Sequence, residues 1–164
     1  MRVLAARPLT REAFAPYGEV IAKAGAEHFD INDGMATRYH DLAPVEAAKE
    51  QGRPLINIFE GRPWALPLTI RMLERHNLGS QAFFPLRDCR WLVVVAPAGD
   101  FDPAGIEAFV ADGAQGVNYR PGTWHHPLVA LDGTTDFLVV DRGGPAVDCD
   151  EAHLAEDELV RVEA

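Results

Sequence analysis

Apolar and polar residues alternate in short runs along most of this chain, and helical spacing is rare. From 68 to 76 the order Leu-Thr-Ile-Arg-Met-Leu-Glu-Arg-His places Leu68, Ile70 and Met72 on one face of an extended segment, because side chains at i and i+2 point the same way. Glu74 and His76 continue that face, so a carboxylate and an imidazole are directed inward. Similar runs predict strands over 17–21, 55–60, 81–86, 91–96, 116–119 and 137–141. Gly61, Asn77-Leu78-Gly79 and Arg87-Asp88 supply turns between them. The run 91–95 is apolar on both faces and predicts a central strand or a subunit contact. Helices are few: Thr10 caps one through 15, Pro44 opens one to 50 with Gly52 beyond it, and Asp102-Pro103 begins another. That last helix would carry Ile106, Phe109 and Val110 on one face and end at Gly113, and the acidic tail from Glu151 has room for one more. Many short strands with brief turns make this an all-β chain, a small antiparallel barrel or sandwich with a few short helices.

The chain has 164 residues, one domain's worth, with no repeat or linker to divide it, so 1–164 is expected to be a single catalytic domain. Its net charge of -10 and lack of a Lys/Arg cluster argue against a nucleic-acid partner. No apolar run approaches a membrane span, and Arg7-Pro8 interrupts the start before a signal-type core forms. Cys89 and Cys149 are far apart and outside any C-x-x-C pattern, which favours a reducing, cytoplasmic setting.

The inward pair Glu74 and His76 is followed by Gln81, and the segment Gly122-Thr123-Trp124-His125-His126 brings another imidazole inward. A buried carboxylate and imidazoles need partners. Glu74, His76, Gln81 and His125 together offer the mixed nitrogen and oxygen set that suits a borderline divalent ion such as Ni, Mn, Fe or Zn. A polar pocket without a metal is the alternative. His126 and His40 are candidates for moving a proton near neutral pH. A substrate carboxylate would take an arginine fork, with Arg38 the first assignment and Arg142 the second. Arg75 alternates away from Glu74 and is expected in an outer-face ion pair. Asn32 and Tyr119 are further candidates for hydrogen bonds to substrate. Asp148-Cys149-Asp150 is given no role, because neighbouring side chains of an extended segment diverge.

The spacing Glu74-x-His76, Gln81, then Gly122-x-x-His125 resembles the paired cupin motifs, H-x-H-x(3,4)-E and a second segment ending G-x-x-H. Glu74 stands in place of the first His and Gln81 in place of the Glu, and Pro121 adjoins Gly122 instead of standing two places before it. Several blocks resemble one cupin family, ureidoglycolate lyase, also labelled ureidoglycolate hydrolase. They are Ile31-Asn32-x-Gly34, Arg38-Tyr39-His40-Asp41-Leu42-Ala43, Leu73-Glu74-Arg75-His76 with Leu78-Gly79-x-Gln81-Ala82-Phe83, and Trp124-His125-His126-Pro127-Leu128. Thr135-Asp136-Phe137 and Asp141-Arg142-Gly143-Gly144 complete them. The resemblance implies a cupin-type barrel (a double-stranded β-helix), a homodimer and a divalent metal, nickel in particular. It also implies cleavage of (S)-ureidoglycolate to glyoxylate and urea in allantoin (purine) catabolism. An amidohydrolase outcome releasing ammonia, another cupin enzyme such as an oxygenase or isomerase, and a non-catalytic binder of a small hydroxy acid are the alternatives.

Overall fold

The computed structural model describes residues 1–164. It is almost entirely β, in three layers. The middle layer is a seven-stranded sheet. Asp150–His153, Met72–Arg75, Trp124–His125, Trp91–Ala96, Glu107–Ala111 and Arg7–Pro8 follow one another across it, and Val129–Ala130 also pairs with Trp91–Ala96. On one side lies a five-stranded sheet ordered Gly18–Ile21, Gly116–Tyr119, Gln81–Pro85, Thr135–Gly143 and Arg53–Gly61. On the other lies a three-stranded sheet of Arg2–Ala5, Val160–Glu163 and Leu68–Ile70. The hairpin His28–Ile31 with Ala36–Tyr39 forms a separate two-stranded sheet. The strand pairings leave the larger sheets as separate layers and do not close them into a barrel.

Trp91–Ala96 holds the layers together. Trp91, Val93 and Val95 face the five-stranded sheet and pack with Phe83, Val117, Phe137 and Val139. Leu92, Val94 and Ala96 face the opposite way and pack with Leu68, Ile70, Val160 and Val162. Period-two alternation inside an all-apolar run is what a strand covered on both faces requires. The strand is therefore central within this chain, and no subunit contact is needed to cover it. Edge-to-face packing of Trp91 on Phe137, with ring centroids 5.2 Å apart, fills the space between the larger sheets. At the sheet's far edge Gly18 lies so close to the neighbouring strand that a Cβ there would sit 1.9 Å from the Asn118 carbonyl oxygen, a fit only glycine permits.

The Thr10-capped helix is present as the single turn Arg11–Phe14, its hydroxyl accepting from the Ala13 N–H. Three other expected helices are not. After the short 3₁₀ turn Pro103–Gly105, Glu107–Ala111 is a strand beside Trp91–Ala96. Ile106 and Ala108 enter one core while Phe109 and Ala111 enter the other, so the apolar spacing that fits a helix is a two-faced strand. Residues 44–48 form no helix because their backbone is engaged elsewhere: Pro44 accepts from Asn118, and Glu46 pairs with Ser80. Only Lys49–Gln51 turns. The tail gives the strands Asp150–His153 and Val160–Glu163, which satisfy the edges of Met72–Arg75 and Arg2–Ala5. The expected strand 68–76 also breaks at Arg71. Ile70 and Leu73 share a core across that break, while Glu74 turns to the opposite face.

Candidate functional site

The aromatic core between the two larger sheets ends in polar side chains, and these form the site. His125 is paired directly with Glu74 in the middle sheet. Glu74 Oε1 stands 3.6 Å from His125 Nε2 and 3.9 Å from His76 Nε2. His76 follows the strand carrying Glu74 and reaches the same point, its ring 5.3 Å from that of His125. The ligand atoms of the three side chains all lie within 4.8 Å of one another.

Backbone carbonyls fix the orientation of both imidazoles. His76 Nδ1–H donates to the Asp148 carbonyl at 2.6 Å, and His125 Nδ1–H donates to the Thr123 carbonyl at 3.0 Å. A carbonyl can only accept, so in the neutral ring each proton is on Nδ1 and each Nε2 presents a lone pair. Both Nε2 atoms are buried without a hydrogen-bond partner. Two lone pairs and a carboxylate oxygen converging in this way are complementary to a cation, and orientation by outer hydrogen bonds is the usual arrangement around metal-binding histidines. The donor set fits a divalent ion. The adjoining His125 first, and then His76 and His126, hold the Glu74 carboxyl below its ordinary pKa against the opposing effect of burial.

Tyr119 stacks flat on His125. Burial first, then the charge of Glu74, pushes its phenol well above the ordinary value, so it stays protonated. Gln81 is paired with Tyr119 in register and is 7% exposed. Its Nε2 donates to Asp141 at 3.2 Å, and its Oε1 is buried and unpartnered. A small cavity of about 110 Å³ is lined by His76, Ser80, Gln81, Asp141, Arg142 and Asp148, among others.

The remaining expected residues are more scattered. Arg142 borders the cavity, but it donates to the carbonyls of Lys49, Glu50 and Pro145 and anchors the 49–51 turn. His126 packs its ring edge-on against Trp64 and donates from Nδ1 to the Pro127 carbonyl, with burial lowering its pKa. His40 lies at the base of the separate hairpin, its ring 5.6 Å from Phe29 and its Nδ1 buried without a partner. Arg38 and Asn32 are exposed on that hairpin, Asn32 at its turn with φ 52°. Arg75 takes the outer-face role: it pairs with Asp150 at 2.9 Å and lies over the Trp124 ring.

The segment 148–150, given no role by the sequence, encloses the site. Asp148 offers its carbonyl to His76 and its carboxylate to the Leu78 N–H. Asp150 holds Arg75 and Asn77, and Cys149 Sγ lies 3.9 Å from Glu74 Oε2. Two of these five contacts use a main-chain atom, which leaves no mark on residue type.

A family model described as ureidoglycolate lyase matches residues 1–162. A Burkholderia mallei (strain NCTC 10229) protein named ureidoglycolate lyase is 56% identical, the match covering 95% of this chain and 92% of the relative. Relatives of the same name from Burkholderia cepacia and Pseudomonas aeruginosa (strain LESB58) are 54% and 53% identical, covering 93% and 96% of this chain and 86% and 94% of their own lengths.

Proposed function

This chain belongs to the ureidoglycolate lyase family, a carbon–nitrogen lyase acting on ureidoglycolate, and we propose that Glu74, His76 and His125 form its reaction centre. The observation that carries this is the pair of buried, unpartnered Nε2 atoms facing one carboxylate. Ureidoglycolate is a carbinolamine, its central carbon bearing a hydroxyl, a carboxylate and a urea nitrogen. In the lyase reaction the hydroxyl loses a proton, its electrons form the carbonyl of glyoxylate, the C–N bond breaks, and the departing nitrogen gains a proton to give urea. A divalent ion, nickel in the family reading, held by Glu74, His76, His125 and the Gln81 oxygen, would supply Lewis-acid activation of the hydroxyl.

The chain's own groups do the rest. His126 is within electrostatic reach of Glu74, and burial favours its neutral form, so its Nε2 suits the role of proton carrier. His40, with a buried free Nδ1, is the second candidate. Arg142 borders the cavity and its Nη1 has no hydrogen-bond partner, which supports it as the group that receives the substrate carboxylate. Arg38 and Asn32 have no comparable support within one chain. Tyr119, a candidate for a hydrogen bond to substrate, supports His125 through its stacked ring.

The two larger sheets, facing each other with the ligand set at one end of their shared core, support reading the fold as a flattened cupin-type barrel. Both cores share Trp91–Ala96, which supports one indivisible domain over 1–164. The free edge of Arg53–Gly61, with Ile56 and Ile58 exposed, supports a homodimer. Cys89 and Cys149 are unpaired, in keeping with a cytoplasmic protein. No helix is long and apolar enough to cross a membrane.

Incubation of the purified protein with (S)-ureidoglycolate tests the reaction. Urea and glyoxylate in equal amounts are expected. Ammonia and carbon dioxide in place of urea would replace the lyase by an amidohydrolase, and no turnover would move the reaction to another hydroxy acid.

A further inference from the structure

On the inner face of the five-stranded sheet, apolar side chains give way to amides and a carboxylate at the end nearest the site. Phe137 and Val139 are fully buried in the core, and Asp141 follows on the same face. Asn57 is paired with Val139 and lies diagonal to Asp141. Gln81 enters from the adjacent strand, two residues before the core residue Phe83.

These three side chains form a directed chain. Asn57 Nδ2 donates to Asp141 Oδ1 at 2.9 Å, and Gln81 Nε2 donates to Asp141 Oδ2 at 3.2 Å. An ionised carboxylate only accepts, so Gln81 must turn its nitrogen toward Asp141. Its Oε1 then points the other way, buried and without a protein partner, on a residue that also lines the cavity beside His76. A buried carbonyl oxygen left unmatched is unfavourable unless something else fills its lone pairs.

We propose that Asn57 and Asp141 are positioning residues that lock the Gln81 amide with its oxygen, not its nitrogen, presented to the divalent ion at Glu74, His76 and His125. This rests on the metal-centre reading above. An amide nitrogen has no lone pair for a metal, so orientation decides whether Gln81 is a ligand or a repulsive N–H. Asp141 fixes that choice, and Asn57 fixes Asp141.

Calorimetric titration of metal-free protein with Ni²⁺ tests it without reference to turnover. His76→Ala checks the underlying reading: if it binds Ni²⁺ as well as the parent does, or the parent binds none, the metal centre itself is wrong. Given a centre that needs His76, Asp141→Asn is expected to weaken Ni²⁺ binding by roughly 10- to 100-fold, the range for outer-shell partners. The new amide can offer either end to Gln81 and frees it to flip. Adding Gln81→Glu to Asp141→Asn should recover most of the loss, because a carboxylate presents oxygen whichever way it turns. Asn57→Ser should weaken binding in the same direction by a smaller factor, and melting curves verify that each variant is folded. Parent-like Ni²⁺ affinity in Asp141→Asn overturns the proposal. So does a loss that Gln81→Glu fails to recover, which would assign Asp141 to packing alone.

Discussion

The Tyr119 ring lies parallel to the His125 imidazole, with centroids 4.2 Å apart and planes 9° from parallel. Tyr119 belongs to the five-stranded sheet and His125 to the middle sheet, so this stack ties the two layers together where the ligand set begins. His125 is thus held on one ring nitrogen by the Thr123 carbonyl and across its face by Tyr119. The imidazole can neither tilt nor change rotamer without breaking one of these contacts.

Removing the ring should loosen the centre, whereas removing the hydroxyl should not. Tyr119→Phe keeps the stack and is expected to retain Ni²⁺ affinity and turnover within about threefold, well below the tenfold that 1.4 kcal/mol represents. Tyr119→Ala opens a cavity in a packed core and should cost about 3–5 kcal/mol of stability, as aromatic-to-alanine changes do. Chemical denaturation and metal titration read the two effects separately. A Tyr119→Phe variant that loses turnover would give the hydroxyl a direct part in the reaction.

Metal binding should itself stabilise the fold, because an unfolded chain lacks the convergence of Glu74, His76 and His125. Ni²⁺ at a hundredfold excess over its dissociation constant is expected to add about 2.7 kcal/mol to the unfolding free energy. His125→Ala should abolish that gain and lower kcat steeply, since it removes one of the proposed ligands, a side chain only 2% exposed. Identical denaturation curves with and without Ni²⁺ in the parent would dismiss the ion.

The arginine assignment separates in KM. Arg142→Gln keeps an amide able to donate to the 49–51 turn while removing the charge. It should lose a charge-assisted contact of about 1.5–3 kcal/mol, roughly a ten- to hundredfold rise in KM, because the substrate carboxylate is charged in both ground and transition states. Arg38→Ala, on an exposed hairpin strand, should leave KM within about twofold, as surface substitutions usually change little. A large KM rise in Arg38→Ala alone would mean that the hairpin covers a site, and Arg142 would then be structural.

The grouping of Glu74, His76 and His125 was legible because strand alternation and the G-x-x-H spacing are properties of residue order. The elements around them were less so. Apolar residues at 106 and 108–111 satisfy helical and strand periods alike, and only the free edge of Trp91–Ala96 selects the strand. The break at Arg71 shifts the alternation by one residue. As a result Ile70 does not share the face of Glu74, which no period predicts. The carbonyls of Thr123 and Asp148 orient both imidazoles with main-chain atoms that every residue carries. Asn57 and Asp141 lie on strands distant in sequence, and register alone brings them to Gln81.

Two surface carboxyls held by arginines, Asp132 beside Arg90 and Asp150 beside Arg75, contribute acid sensitivity, and Asp132 gives the test farther from the site. Asp132 grips Arg90 through its side chain and backbone N–H, and these hydrogen bonds hold its carboxyl below the ordinary value. A carboxyl whose folded pKa is depressed adds stability that is complete above the unfolded value of about 3.9 and is lost as pH falls through the folded value. Asp132→Asn should therefore lower Tm slightly near neutrality and lessen its fall below about pH 4. Parallel Tm–pH curves for the parent and variant would remove Asp132 from the acid transition.

The edge strand Arg53–Gly61 offers the clearest test of assembly. One side pairs with Thr135–Gly143 and the other ends the sheet, with Ile56 77% and Ile58 55% exposed. A long apolar edge in a monomer invites pairing with another strand. In an antiparallel pair about a two-fold axis normal to the sheet, residues of equal parity stand opposite each other, and centring on Asn57 sets Ile56 of one copy against Ile58 of the other. Light scattering at micromolar concentration should give about twice the 18.0 kDa chain mass. Ile58→Lys should give the monomer with little loss of monomer stability, since the side chain already faces solvent there and charge at an edge blocks pairing. A parent that scatters as a monomer removes the dimer, and a dimeric Ile58→Lys variant moves the interface to another surface.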